Sequence, residues 1–218
     1  KEISSPQFYS VSDEEVTVYL EHEGQIVQVE YLNESVYTNV SISKSGYTQV
    51  VPGQEIRYTF KDIGNNSTVP LDSFYWRDTL PTDAVRLDKI ITGTYSARLN
   101  YKVVFQTNLN DTQRVLADNL NTQKNYTLDA SPAALGLASN EYVTQVTFLF
   151  GRVPGGFKQV ETPYIYCDVL SSLSHEYRFA NKCDVGGMWQ NQWVQATDRW
   201  VTIIYRGGPV PTLPRTGY

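Results

Sequence analysis

The chain lacks the features that mark several large classes of protein. Its 218 residues contain no apolar run that approaches the length of a membrane span, and no signal peptide opens the chain. The net charge is −5, so the chain lacks the excess of positive charge that is typical of nucleic-acid-binding proteins. No Gly-x-Ser-x-Gly turn is present, and neither histidine stands in a spacing that would bind a metal or activate a nucleophile. We therefore expect no enzyme, no nucleic-acid binder, and neither a metal nor another cofactor.

Cysteine is also scarce, and the two cysteines leave two interpretations open. If the predicted strands around 163–170 and 176–185 pair as a hairpin, Cys167 and Cys183 lie roughly opposite each other. A cross-strand disulfide is then geometrically possible. The alternative is that both cysteines are reduced and act as small core residues.

What the chain has in abundance is the composition of β-strands. Tyr, Thr and Val are frequent, and turn residues separate short runs of alternating apolar and polar residues. The run 16–21 alternates, a turn follows at 22–24, and 26–31 alternates again, which predicts a hairpin. Further strands are predicted near 37–44, 54–61, 71–77, 85–95, 99–107, 124–129, 142–150, 162–170, 176–185 and 198–206. The pattern predicts an all-β protein.

One segment departs from this pattern. The sequence SPAALGLA at 131–138 begins with Ser131 as a helix N-cap and Pro132 at the first helical position. It predicts one short helix in a crossover between strands.

The pattern of predicted strands and the composition divide the chain into three parts. Residues 1–36 form an N-terminal hairpin that is either the end of a preceding module or a set of extra strands on the main domain. Residues 37–206 form that domain, a sandwich. Residues 207–218 are a Pro/Gly-rich tether with a terminal motif.

The terminal motif consists of Leu213, Pro214, Arg215, Thr216 and Gly217. Pro214 fixes its own φ and biases Leu213 toward an extended conformation. The segment would therefore already be kinked when it enters the binding groove of an enzyme. Thr216 offers the carbonyl that a cysteine nucleophile attacks, and Gly217 leaves as a small, unhindered amine. The motif fits the LPxTG sorting signal that sortases cut on Gram-positive surface proteins.

The signal implies a location and partners. The protein would be extracellular and anchored to the cell wall, with sortase and peptidoglycan, or the next pilin subunit, as partners. A complete sorting signal continues into an apolar segment and a basic tail, so we expect this chain to be a fragment of a longer surface protein. The alternative is a chance match in a loop or a tag added for labelling.

Five further motifs follow one another along the main domain. They are ISKSG at 42–46, VPGQEIRYTF at 51–60, IGN at 63–65, WRDTLP at 76–81 and FANKCDVGG at 179–187. In this order they resemble the repeat domains of bacterial surface proteins and fimbrial subunits. Together with LPRTG they most resemble clostridial cell-wall-anchored proteins, although Cys183 stands where a small residue is usual. The resemblance implies an immunoglobulin-like β-sandwich.

The resemblance also implies a self-made cross-link. Related fimbrial domains form an isopeptide bond between a lysine on the first strand and an asparagine on the last, assisted by a buried acid. The matching positions are Lys44, Asn181 and Asp78, with Glu55 and Glu141 as reserve candidates for the acid. The amine and the acid must both be neutral, which burial favours. The alternative is a solvated strand lysine, a turn-forming aspartate and an asparagine bonded to the backbone.

Two functions follow from these expectations. The first is a structural stalk or spacer domain of a sortase-anchored surface protein or pilin. The second is an adhesin domain that binds a host protein or glycan. Trp189, Trp193 and Trp200 would serve the second function if they shared one exposed face, whereas alternating core positions explain them without a ligand.

Overall fold

The computed structural model describes residues 36–207 in full and the backbone of 7–12, 15–22 and 25–32. All regular structure in these ranges is β-strand, so the predicted all-β class is confirmed. Since these ranges hold no helix, none is long and apolar enough to cross a membrane. The LPRTG motif at 213–217 lies outside the described residues.

The chain divides into two compact units, Lys1–Tyr37 and Thr38–Tyr218. The first contains a three-stranded antiparallel sheet of β1 (Gln7–Ser12), β2 (Glu15–His22) and β3 (Gln25–Leu32), in that order. β2 and β3 pair along their whole length. The paired strands β2 and β3 lie where the alternation of residues 16–31 predicts a hairpin, and β1 is an addition that the sequence pattern does not indicate.

The second unit consists of two open sheets in a sandwich-like arrangement. Its strands are β4 (Val40–Ser45), β5 (Gln49–Val50), β6 (Glu55–Asn65), β7 (Leu71–Thr79), β8 (Val85–Ile91), β9 (Asn100–Thr107), β10 (Arg114–Asn121), β11 (Thr127–Asp129), β12 (Val143–Val153), β13 (Tyr164–Val169), β14 (Arg178–Trp189) and β15 (Gln192–Ile204). The seven-stranded sheet has the order β10-β9-β12-β7-β14-β15-β5, and the five-stranded sheet has the order β11-β8-β13-β6-β4. The pairing is antiparallel except between β15 and β5.

The core of this unit is rich in aromatic side chains. Trp76 stacks on Phe148 with ring centroids 4.0 Å apart and packs against Phe60 at 4.9 Å. Its indole N–H donates to the Tyr95 hydroxyl at 3.0 Å, which satisfies the polar end of a fully buried side chain. The inward positions of strands from both sheets meet in this core, because side chains alternate across each strand.

The predicted helix at 131–138 is wrong, because the segment forms turns. Its start follows the expectation: the Ala134 amide donates to Ser131 Oγ at 3.3 Å, and the Leu135 amide donates to the Ser131 carbonyl at 3.0 Å. Gly136 then adopts a φ of 62°, in the left-handed region that ends a helix. A helix cannot extend past this point, so only one turn forms.

The two cysteine-bearing strands do not pair as a hairpin, which was the condition for a cross-strand disulfide. β13 pairs with β6 and β8 in the five-stranded sheet, whereas β14 pairs with β7 and β15 in the other. The chain between them crosses from one sheet to the other. Because these strands lie in different sheets, the two cysteines are not cross-strand neighbours. Both are buried, free thiols. Burial raises the pKa of both thiols, that of Cys183 to about 12.

Candidate functional site

A buried lysine on β4 marks the candidate site. The burial of β4 alternates, so Val40, Ile42 and Lys44 all point into the core. The Lys44 side chain is 0% exposed. Its Nζ lies 4.4 Å from the ring centroid of Tyr58 and 4.1 Å from that of Phe60, both on β6. A lysine enclosed by aromatic rings needs a partner, because a buried, unpaired charge is strongly unfavourable.

That partner is Asp78, on the central strand β7. Lys44 Nζ lies 2.6 Å from Asp78 Oδ1, and the carboxyl group is also fully buried. β7 pairs with β12 on one side and β14 on the other, so its backbone is held in the middle of the seven-stranded sheet. The contact therefore joins the two sheets across the core.

Asn181, on β14, completes the cluster. Its Nδ2 donates to Asp78 Oδ2 at 3.2 Å, and the residue is 0% exposed. The Asp78 carboxyl group thus contacts Lys44 with one oxygen and Asn181 with the other. The amide oxygen of Asn181 has no hydrogen-bond partner among the described residues. We call Lys44, Asp78 and Asn181 the buried triad.

The electrostatics of the buried triad are set by the absence of solvent. Burial raises the pKa of the Asp78 carboxyl above its ordinary value of 3.8, although the neighbouring Lys44 acts in the opposite direction. Moving one proton from Nζ to the carboxyl group converts an ion pair into two neutral groups without changing the total charge. Because burial penalises charge, the core around Asp78 favours the protonated form of its carboxyl group.

The structure thus brings together the lysine, acid and asparagine that the sequence indicates. The resemblance implied that Asn181 lies on the last strand; it lies on β14, next to the last strand β15. The two reserve acids lie elsewhere. Glu55 is half-exposed, 3.9 Å from Lys89, and Glu141 is paired with Arg114 and accepts from Thr107 Oγ1.

Sequence reasoning assigned no role to the two aromatic residues that enclose Lys44. Tyr58 and Phe60 stand two positions apart in β6 and are 1% and 0% exposed. The alternation of EIRYTFKD predicts that both face the core. Their position over Lys44 depends on the register of β4 with β6, where Lys44 lies opposite Phe60.

The three tryptophans near the C-terminus do not form one binding face. Trp193 and Trp200 are seven positions apart on β15, so their side chains point to opposite faces of the sheet. Trp200 and Trp189 pack against the core, while Trp193 is 51% exposed and contacts Tyr75 edge-on. Trp193 is therefore the most exposed of the three.

No protein-family model matches the chain, and no curated protein matches it either. Among solved structures it is similar to the cohesin module of a family 33 glycoside hydrolase from Clostridium perfringens ATCC13124, at 8% identity and a TM-score of 0.41, covering 78% of this chain and 98% of that one. It is similar to the collagen-binding domain of a Staphylococcus aureus adhesin, at 10% identity and a TM-score of 0.30, covering 78% and 99%.

A third similar structure is a putative membrane anchored protein from Corynebacterium diphtheriae, at 12% identity and a TM-score of 0.39. The match covers 95% of this chain and 47% of that one. All three neighbours come from Gram-positive bacteria. These identities and TM-scores are too low to transfer a function, so the case for one rests on the chain's own residues.

Proposed function

We propose that this chain is a structural domain of a Gram-positive, cell-wall-anchored surface protein, a stalk or pilin module that cross-links itself through an isopeptide bond between Lys44 and Asn181. The observation that carries the proposal is the buried triad. Lys44 Nζ and the Asn181 amide both contact the carboxyl group of Asp78 inside an apolar core. These groups are the nucleophile, the electrophile and the acid that the bond requires.

The reaction exchanges one amide for another. A proton moves from Lys44 Nζ to Asp78, and the Nζ lone pair then forms a bond to Asn181 Cγ. The bond from Cγ to Nδ2 breaks, and Asp78 relays the proton with which ammonia leaves. The products are a secondary amide, one ammonia and a protonated Asp78, so atoms and charge balance. The reaction runs once per molecule, which makes it maturation and not turnover.

The proposed bond suits a load-bearing role. It would join β4, the first strand of the second unit, to β14 in the other sheet. A cross-link that closes a loop of more than 100 residues stabilises a fold by roughly 5 kcal/mol in the chain-entropy model. This is comparable to the whole net stability of many domains, which is about 5–15 kcal/mol. A pulling force applied through a cell-wall anchor would then be resisted by a covalent bond between the two sheets.

Intact mass tests the cross-link directly. The purified protein should weigh one ammonia less than its sequence, and a peptide digest should contain a branched fragment that joins the segments around Lys44 and Asn181. Lys44→Arg keeps the positive charge but lacks a primary amine, so it should show the full mass. Lys102→Arg, at an exposed lysine, is the matched control and should keep the loss. A wild-type protein of full sequence mass would reject the cross-link.

Anchoring is a separate part of the proposal and has its own test. Incubation with a housekeeping sortase and a glycine-based nucleophile should cut between Thr216 and Gly217 and join the nucleophile to Thr216. Thr216→Val, which keeps the shape of the side chain, should block the product. If the chain gives no product while a control LPxTG peptide reacts, the sorting signal is not functional.

An adhesin function is the second candidate, and one observation favours it. The exposed ring of Trp193 rests on Tyr75, whose hydroxyl donates to Asp184 and accepts from Gln195. An exposed aromatic ring beside polar groups suits a sugar ring. Glycan-array binding that is lost in Trp193→Ala would support this candidate, and equal binding by both proteins would reject Trp193 as the contact.

A further inference from the structure

Two buried polar atoms beside the Lys44–Asp78 contact lack a hydrogen-bond partner among the described residues, and they are complementary. One is a donor, the Tyr58 hydroxyl, and the other is an acceptor, Asn181 Oδ1. Tyr58 is 1% exposed and Asn181 is 0% exposed, so neither atom is open to bulk solvent. Unpaired buried polar atoms are rare in folded proteins, and each needs an explanation.

Tyr58 lies beside the buried triad: its ring centroid is 4.4 Å from Lys44 Nζ, and the Asp78 carboxyl group that contacts Lys44 also contacts Asn181. Burial raises the pKa of the Tyr58 hydroxyl, and the charges of Cys167 and Asp78 act in the same direction, while the side chains of Asn181 and Thr202 oppose it. The Thr202 hydroxyl already donates to the Tyr47 carbonyl at 2.8 Å. The Tyr58 hydroxyl proton therefore has no acceptor, and the buried triad that lies beside the Tyr58 ring contains an amide oxygen that has no donor.

The other contacts of the buried triad leave this amide oxygen without support. Asp78 Oδ1 is engaged by Lys44 Nζ, and Asp78 Oδ2 is engaged by Asn181 Nδ2. Both carboxyl oxygens thus face nitrogen atoms, where protons leave and arrive during the exchange. Asn181 Oδ1, where negative charge would develop, needs a different donor.

We infer that Tyr58 is the oxyanion-stabilising group of the cross-linking reaction, its hydroxyl donating a hydrogen bond to Asn181 Oδ1 while Lys44 attacks the adjacent carbon. This inference rests on the proposed function. As the bond from Nζ to Cγ forms, the π electron pair of the carbonyl moves onto Oδ1, and it returns when the bond to Nδ2 breaks. A preorganised donor at Oδ1 stabilises that intermediate without a change in protonation.

Phe60 shows why the hydroxyl has a role apart from the ring. Its ring lies as close to Lys44 Nζ as the Tyr58 ring does, at 4.1 Å against 4.4 Å, and excludes water without a polar group. A phenylalanine at position 58 would shield the lysine equally well. The hydroxyl is therefore the part of Tyr58 that shielding does not explain.

The test compares two Tyr→Phe variants in a single-turnover experiment. The full chain is isolated unfolded from inclusion bodies, refolded by dilution, and sampled over time for intact mass. Tyr58→Phe should slow the loss of ammonia by about 100-fold, the usual effect of removing one oxyanion donor. Tyr101→Phe is the matched control, because the Tyr101 hydroxyl is also buried without a partner. The Tyr101 ring packs against Tyr95 and Phe150, outside the buried triad. This variant should react at the wild-type rate.

Tryptophan fluorescence recorded in the same refolding separates chemistry from folding. Tyr58→Phe should fold as fast as wild type but should lose ammonia more slowly than wild type after folding. A fluorinated tyrosine at position 58 keeps the shape and strengthens the donor, so it should react faster than wild type.

The outcomes distinguish the two proposals. Equal rates for wild type and Tyr58→Phe, or equal slowing by both Tyr→Phe variants, would overturn the role of Tyr58 while the cross-link stands. A wild-type protein that folds and keeps its full mass would reject the cross-link itself.

Discussion

The two faces of one strand pair carry two ion pairs in opposite surroundings. β7 and β14 place Arg77 opposite Asp184, and Asp78 opposite Cys183. Consecutive residues of a strand point to opposite faces of the sheet. Arg77 and Asp184 meet on the outer face, with side chains 33% and 17% exposed, whereas Asp78 meets Lys44 in the core, where both side chains are 0% exposed.

The difference in solvent access decides what each pair can do. Arg77 holds Asp184 with two bonds of 2.8 and 2.7 Å, and water screens the pair. A guanidinium does not give up its proton in a protein, so this pair stays ionic. The core pair combines an amine that can lose a proton with a carboxyl group whose pKa burial raises. The outer contact is therefore structural, while the inner one has the composition of a reactive site.

The largest effect is expected from removing the inner acid. Asp78→Ala should show the full sequence mass, because no group relays the proton between the nitrogen atoms. The free energy of unfolding should fall by roughly 5 kcal/mol through loss of the cross-link alone. A lysine left buried without its partner adds a further penalty of about 3–5 kcal/mol. Intact mass and chemical denaturation measure both effects.

Two variants sharpen this result. The double variant Lys44→Met with Asp78→Leu also prevents the bond but leaves no buried charge, so it should be more stable than Asp78→Ala. Asp78→Glu keeps an acid but lengthens the side chain, and it should retain part of the reaction. If Asp78→Ala still loses ammonia, Asp78 is not the acid of the reaction.

A smaller effect is expected from the pH dependence of a protein in which Asp78 has lost its partner. In Lys44→Met no positive charge opposes the burial that raises the Asp78 pKa above 3.8. Between the unfolded and folded pKa values the folded state binds more protons than the unfolded state, so stability falls as pH rises. The contribution is complete below pH 3.8 and declines by at most about 1.4 kcal/mol per pH unit up to the folded pKa.

Denaturation curves of Lys44→Met recorded from acid to neutral pH check this slope. The double variant with Asp78→Leu lacks the titrating group and is the control for every other acid in the protein. The stability of Lys44→Met relative to the double variant should fall steadily with rising pH. A difference that stays constant would mean that Asp78 titrates alike in the folded and unfolded states.

Lys44, Asp78 and Asn181 could be singled out from the sequence because the motifs around them resemble those of fimbrial repeat domains. The local alternation of apolar and polar residues contributes less to the prediction of the site. Alternation in VSISKS puts Lys44 on the inward face with Val40 and Ile42, which marks it as unusual but names no partner. Asp78 is 34 positions away, and its contact with Lys44 depends on how two sheets pack. The hydroxyl of Tyr58 was not predictable, since its significance lies in an unpaired atom.

The fold shows the same limit. Most strands could be predicted from alternation, but β5 has only two residues, and β10 is an edge strand with irregular burial and two register shifts. Strand pairing was less predictable than strand position. The sequence left open whether the strands of Cys167 and Cys183 pair, and the structure places them in different sheets.

The smallest effect is expected on the outer face. Asp184→Asn keeps the shape of the side chain and removes the charge that Arg77 holds, which should cost about 1 kcal/mol or less. Added salt should reduce the difference from wild type, because the outer pair is partly open to screening. Asp184 is also the weakest of the influences that raise the Asp78 pKa, so the cross-link should still form and the mass should still fall short by one ammonia. Denaturation at low and high salt, with intact mass on the same samples, measures all three expectations. A loss of several kcal/mol, or a full-mass protein, would show that the two faces of β7 and β14 act together and that the inner site depends on the outer pair.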